Sequence, residues 1–332
     1  STQPRITEMP EPVQGNRVVA LTGATGFVGG HILRQLVNAG HRVRVLARNP
    51  DKLPAGLADQ DIVVGALDDK SALARLSTGA DAFIHCAGSV RGVTKSQFAA
   101  VNVDGSAACA HAAVRHRVAR FLLISSLAAR EPQLSAYAAS KRGGEEAVLE
   151  ATANADIELT ILRPPAVYGP DDKEMLPIFQ MMARGLAPVL GRRDARFSLI
   201  HVDDLASAAV NWLACEDLPR EILELDDGKP GGYGWDDVCD IVTSITKRPI
   251  HRIPLPKALL VFPAGLNSLA GTLTSYTPMF SLGKLRELRH PDWVCRASDG
   301  HGLHSWQPRF RLREGLATTP GWRAQGDPGS NH

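Results

Sequence analysis

Apolar residues gather in short unbroken runs, separated by longer stretches in which they recur every three to four positions. Arg17 to Leu21 is the first run; a glycine-rich turn ends it, and from Phe27 to Ala39 apolar residues fall at helical spacing until Gly40. That is the pattern of strand, turn and helix. Arg42 to Ala47, Asp61 to Val64, Ala82 to Cys86, Phe121 to Ile124 and Leu159 to Leu162 read as further strands, with helical stretches between most of them. Such alternation predicts an α/β fold, a doubly wound parallel sheet covered on both faces.

The sixth strand leads into Arg163-Pro164-Pro165-Ala166-Val167-Tyr168-Gly169-Pro170, where three prolines and a glycine end regular structure. Beyond it the pattern is irregular: short helices, apolar strands at Phe197 to Val202 and Ile222 to Leu225, and proline-punctuated turns. The expected organisation is a flexible N-terminus over 1–16, a nucleotide-binding core over 17–170, a smaller substrate lobe over 171–320 with returning core elements, and a flexible tail over 321–332. Ligands of doubly wound sheets bind at the carboxyl edge, which this lobe would cover. No internal repeat is visible.

With 332 residues, 44% of them apolar, the chain can bury a large core, and a formal net charge of +2 gives no footprint for a nucleic-acid partner. Five cysteines, none in a Cys-x-x-Cys pair, suggest reduced thiols without a disulfide framework or zinc site. His301 and His304 beside Trp306 lack a carboxylate or cysteine to complete a ligand set, so no metal is expected. The first fifteen residues lack a secretory apolar run, and no segment offers eighteen uninterrupted apolar residues. The expectation is a cytoplasmic protein, with peripheral contact at the inner face of a membrane left open.

Candidate chemistry begins at Thr22-Gly23-Ala24-Thr25-Gly26-Phe27-Val28-Gly29, where the predicted strand becomes a helix. Gly23 can make the tight turn, Gly26 can admit a pyrophosphate and Gly29 can allow close packing, with the helix amino terminus facing the phosphates. At the end of the second strand Arg48 favours the 2'-phosphate of NADP(H), although Asp51 leaves NAD(H) open. Asp68 after the third strand is placed to accept from an adenine amino group, and Ala87 and Gly88 after the fourth keep the backbone close to the cofactor. Tyr137 and Lys141, four positions apart, share one helix face, so the ammonium is expected to lower the phenol's pKa toward a usable acid or base.

Together, Thr22-Gly23-x-x-Gly26-x-x-Gly29, Asp81-Ala82-Phe83-Ile84-His85-Cys86-Ala87-Gly88, Ile124-Ser125-Ser126, Tyr137-x-x-x-Lys141, Arg163-Pro164 and His201-Val202-Asp203-Asp204-Leu205-Ala206 resemble a short-chain dehydrogenase/reductase of the extended or atypical type over residues 17 to 320. The resemblance implies a Rossmann fold in which Tyr137 is the general acid/base, Lys141 lowers its pKa and holds the nicotinamide ribose, and Ser126, rather than Ser125, hydrogen-bonds the reacting oxygen. Asn102 matches an asparagine that supports the lysine through water in many relatives; a structural helix asparagine is the alternative. Thr25, Phe27, Val28, Pro164 and Val167 complete the implied cofactor contacts. His201 falls at a strand-to-helix junction where an aspartate caps the next helix. The family often pairs through a four-helix interface, and monomer or homodimer both remain open.

Leu127-Ala128-Ala129-Arg130 replaces the Val-Tyr-Gly turn usual in sugar-nucleotide epimerases and dehydratases, although Gly191-Arg192-Arg193-Asp194-Ala195-Arg196 could still clamp a diphosphate. Residues 255 to 273, with Tyr276, Pro278, Met279 and Phe280, are apolar and proline-broken, suited to line an acyl or sterol pocket, to rest on a membrane, or to pack in the core. The overall pattern is similar to members resembling 3-beta-hydroxysteroid dehydrogenases and to the respiratory accessory-subunit group, including bacterial ceramide reductases. The expected function is NADP(H)-dependent reduction of a ketone on an apolar, lipid-like small molecule. The rivals are an epimerase or dehydratase that recycles its cofactor and a non-catalytic NADP(H)-binding subunit or assembly factor.

Overall fold

The computed structural model describes residues 16–54, 61–90, 94–189, 192, 194–216, 220–254, 282–296, 303 and 306–323. Seven parallel strands form the central sheet: β1 (Val18–Thr22), β2 (Arg42–Ala47), β3 (Asp61–Val64), β4 (Ala82–His85), β5 (Arg120–Ile124), β6 (Glu158–Arg163) and a late strand, Glu221–Glu224. Their spatial order is late strand, β6, β5, β4, β1, β2, β3. The order reverses between β1 and β4, and crevices at such a switch point are where ligands of this architecture bind.

The period-two alternation of each strand feeds two cores. Val19 and Leu21 face α1 (Phe27–Asn38) and the helix Val202–Ala214, with Ile32, Leu36, Leu205 and Trp212. Ala20, between them, faces the opposite layer with Phe83, Phe121, Leu76 and Val148, built from α2 (Lys70–Ser77), α4 (Gly105–Arg115) and α5 (Ala136–Ala151), with the short α3 (Lys95–Ala99) preceding α4. Each fully buried Leu, Ile or Val stabilises the fold by about 1.5–3 kcal/mol relative to exposure. A third core of Tyr168, Phe179, Met182, Leu199, Tyr233, Val242, Leu316 and Trp322 holds the smaller lobe.

The predicted strand Phe197 to Val202 divides in two. Arg196–Phe197 pairs with Asp292–Trp293, whereas Leu199–His201 pairs with Ala166–Tyr168. Ser198 separates them because its hydroxyl donates to Asp226 Oδ2 at 2.6 Å and accepts from Cys295 N at 3.1 Å. Val202 begins the next helix, and its cap is the His201 ring, accepting from Asp203 N at 3.3 Å, rather than an aspartate. Asp203 turns instead to His31 Nδ1 at 2.7 Å, and its carbonyl accepts from Gln35 at 2.9 Å, fastening this helix to α1.

No helix of the described residues is long and apolar enough to cross a membrane, and no cluster of three metal-ligating side chains occurs among them. The apolar stretch from Leu255 to Phe280, together with His301 and His304, lies outside the described residues.

Candidate active site

The turns that follow neighbouring strands converge on one edge of the sheet. Gly23 has φ +81°, and a Cβ there would lie 2.6 Å from Ala87 N, so the turn after β1 is pressed against the turn after β4. A Cβ on Gly29 would lie 2.1 Å from Gly23 O. Thr25 and Gly26 stand exposed, Phe27 and Val28 open the helix half-buried, and no side chain caps its start. The free N–H groups and close backbone approach fit a dinucleotide pyrophosphate. Gly29→Ala is expected to weaken dinucleotide binding at least about tenfold, read by NADPH fluorescence, because either the turn or the helix must move.

Arg48, at the end of β2, is exposed, and its guanidinium has no partner among the described residues; Asp68, beyond β3, is likewise exposed and unpaired. Gly88 is exposed beside the half-buried Ala87. Pro164 is buried, its carbonyl accepting from Leu127 N at 2.8 Å, and Val167 is half-buried on the short strand after it.

Ser126 follows β5, and its Oγ accepts from Ala128 N at 3.2 Å, which leaves its proton free to reach outward. Ser125 faces the other way: its buried hydroxyl donates to Glu145 Oε1 at 2.5 Å. Of the two serines only Ser126 acts on the Tyr137 phenol, whose pKa it tends to lower. Tyr137 sits in the first turn of α5, with the Phe98 ring edge-on at 6.1 Å. Lys141 Nζ donates to Ile124 O at 3.1 Å and lies beside Gly88, where a Cβ would be 3.6 Å from it.

The expected lowering of the Tyr137 phenol by Lys141 does not hold here. Loss of hydration pushes the phenol up to about 12; Ser126 opposes the shift and the Glu287 carboxylate adds to it. Burial also draws the Lys141 ammonium downward, and that amine is turned toward the Ile124 carbonyl.

Several residues that frame this site escaped the sequence reading. Glu145, on α5, receives Arg163 from β6 through two bonds, Nε at 2.8 Å and Nη2 at 2.5 Å, both side chains being buried. Glu287, on the helix Leu282–Arg289, accepts from the Ser135 hydroxyl, which itself caps α5 at Ala138 N (2.9 Å). Arg130 is held by the Val294 and Asp292 carbonyls at 2.9 and 2.7 Å and by Glu224 at 3.4 Å, so it ties the lobe to the core. Asn102, which the sequence does single out, is buried in a π-helical turn, Ala100–Asp104, and bonds Ser89 and Ser140 directly.

The arginine loop forms no clamp among the described residues: Arg192 pairs with Asp194 at 2.6 Å, and Arg196 is fixed by Gly231 O, Gly232 O and Asp237. Arg193 lies outside the described residues.

The chain is similar to known proteins in sequence and in fold. Residues 19–222 match the model of the NAD dependent epimerase/dehydratase family. Over 313 residues, 93% of this chain and 95% of the other, it is 42% identical to a ceramide reductase of Caulobacter vibrioides (strain NA1000 / CB15N). Its fold is similar to that of the Bordetella bronchiseptica enzyme WbmG in complex with NAD, at a TM-score of 0.69 and 18% identity over 94% of this chain and 96% of that one. It is also similar to an epimerase of Methanothermobacter thermautotrophicus, at a TM-score of 0.72 and 17% identity over 93% and 92%.

Proposed function

Because the chain belongs to the NAD dependent epimerase/dehydratase family, we propose that it is an NADP(H)-dependent oxidoreductase that reduces a ketone on a long-chain lipid of the oxidised-ceramide type. The reading rests above all on whole-length similarity to a ceramide reductase, joined to a Tyr137 phenol whose pKa the Ser126 hydroxyl lowers at the sheet edge.

A dinucleotide whose pyrophosphate is held at the glycine turn would supply, from its nicotinamide, the hydride for the carbonyl carbon. The rest of the work falls to side chains. The free proton of Ser126 orients the carbonyl oxygen and stabilises the charge that develops on it. Tyr137 gives that oxygen its proton. With its pKa raised to about 12 the phenol is fully protonated at working pH, which suits donation to an alkoxide better than the reverse withdrawal from an alcohol. Lys141, whose Nζ lies beside Gly88, would bond the nicotinamide ribose. The Phe98 ring against Tyr137 offers an apolar wall beside the phenol.

The Arg48 guanidinium, unpartnered among the described residues, supports NADP(H) over NAD(H). Arg48→Ala is expected to weaken NADPH binding about tenfold and NADH binding less than about twofold; equal losses for both would remove the preference. The function itself is tested by incubating the purified chain and NADPH with a 3-keto ceramide and following absorbance of the reduced cofactor together with the lipid product. Net oxidation with formation of the hydroxy-lipid is expected. Epimerisation of UDP-glucose without net cofactor consumption, and no turnover of keto-lipids, would overturn the reading.

A further inference from the structure

Between the glycine turn and α5 runs a chain of hydrogen bonds in which each proton has one place to be. Ser106 Oγ lies 2.8 Å from the Asn102 carbonyl, which can only accept, so the single serine proton points there. The same oxygen lies 3.0 Å from His85 Nε2 and must accept that bond, which puts the imidazole proton on Nε2. His85 Nδ1 therefore accepts from Thr22 Oγ1 at 2.6 Å, and Thr22 Oγ1 accepts in turn from Ala87 N at 3.3 Å. A doubly protonated ring would make Nδ1 a donor and leave the Thr22 proton without an acceptor. His85 is fully buried, and loss of hydration, then the Lys141 ammonium, draw its pKa down to about 3.

The path continues through Asn102. Its Oδ1 accepts from Ser89 N at 2.8 Å, while Nδ2 donates to Ser89 O at 3.0 Å and to Ser140 Oγ at 2.8 Å. Ser140 Oγ donates to the Tyr137 carbonyl at 2.7 Å. The π-helical turn brings the Asn102 carbonyl hard against α5, where a Cβ on Gly144 would lie 2.2 Å from it. Turns from β1 and β4 on one side and the Tyr137 helix on the other are thus joined through one ring.

We propose that His85 is a positioning residue: locked as its Nε2–H tautomer, it couples the turns that cradle the dinucleotide to the helix that carries Tyr137 and Lys141. The proposal rests on the oxidoreductase reading for its consequences in turnover, but its first test needs no substrate. In ring-¹⁵N NMR of the cofactor-free full chain, one histidine, absent from the spectrum of His85→Gln, is expected as the neutral Nε2–H form, unchanged between about pH 5 and pH 8. A ring that titrates in that range, or one protonated on Nδ1, overturns it.

The second test separates coupling from mere packing. Thr22→Val is expected to weaken binding of the preferred reduced dinucleotide about tenfold, with Thr22→Ser close to the original. Ser106→Ala is expected to lower kcat on the keto-lipid about tenfold with cofactor Kd and substrate KM within about twofold, and Ser106→Thr to restore it. Unchanged cofactor binding in Thr22→Val, or equal loss of kcat in Ser106→Ala and Ser106→Thr, refutes the coupling. Failure of the original chain to reduce any keto-lipid overturns the oxidoreductase reading alone, since the NMR and Thr22 binding results still decide the role of His85.

Discussion

Replacing Tyr137 by phenylalanine is expected to lower kcat by about two to four orders of magnitude, while dinucleotide affinity changes less than about twofold. The change removes one oxygen and leaves the ring packed against Phe98, so a loss confined to kcat would identify a proton transfer rather than a collapsed site. Retention of full turnover would end the acid/base assignment. The raised phenol has two further consequences. Reduction should show no loss from Tyr137 ionisation between about pH 6 and pH 9, because the group sits near 12 before cofactor binds. Stability should move the other way at high pH: the folded phenol keeps its proton above the unfolded value of about 10, so the folded state binds more protons there and loses stability as pH rises from about 10 toward 12. Urea unfolding of the original chain and the phenylalanine variant across that window measures this contribution.

The largest expected change in stability comes from Arg163→Leu. The substitution leaves the buried Glu145 carboxylate with the Ser125 hydroxyl as its hydrogen-bond donor and the Lys141 ammonium nearby, among the described residues, and removing one partner of a buried ion pair costs about 3–5 kcal/mol. Replacing Glu145 and Arg163 together by apolar residues should be less damaging than either single change, because neither charge is then stranded. Denaturant unfolding of the two single variants and the double variant gives the coupling directly; a single-variant loss below about 1 kcal/mol would mean that the pair does not brace α5 against β6.

What was legible in the chain was what repeats locally. Short runs such as Val18–Thr22 and Arg120–Ile124, each followed by a helix of regular apolar spacing, prescribe a parallel sheet before any contact is known. The glycine turn was legible for the same reason, since its spacing is set by a single backbone bend. Nothing local marks Glu287, whose bond to Ser135 spans 152 residues, or the role of His85, whose partners Thr22 and Ser106 stand 63 and 21 residues away. A buried polar side chain becomes meaningful only when the fold presents the group that satisfies it. The direction of the Tyr137 shift is not local either: Lys141 stands four positions along the helix, but loss of hydration and a carboxylate from the far lobe decide it. Phe197 to Val202 looked like one strand because pattern alone cannot show that two halves of an apolar run serve different sheets.

The strand Glu221–Glu224 closes the outer flank of β6 only after the chain has passed through much of the smaller lobe. A ribosome that has released residues only as far as Tyr168 has therefore made six strands of a seven-strand sheet, with the hydrogen-bonding edge of β6 bare to any passing chain. The nucleotide-binding half should thus be prone to self-association as a truncated fragment or a stalled nascent chain, and should become soluble once the seventh strand is supplied.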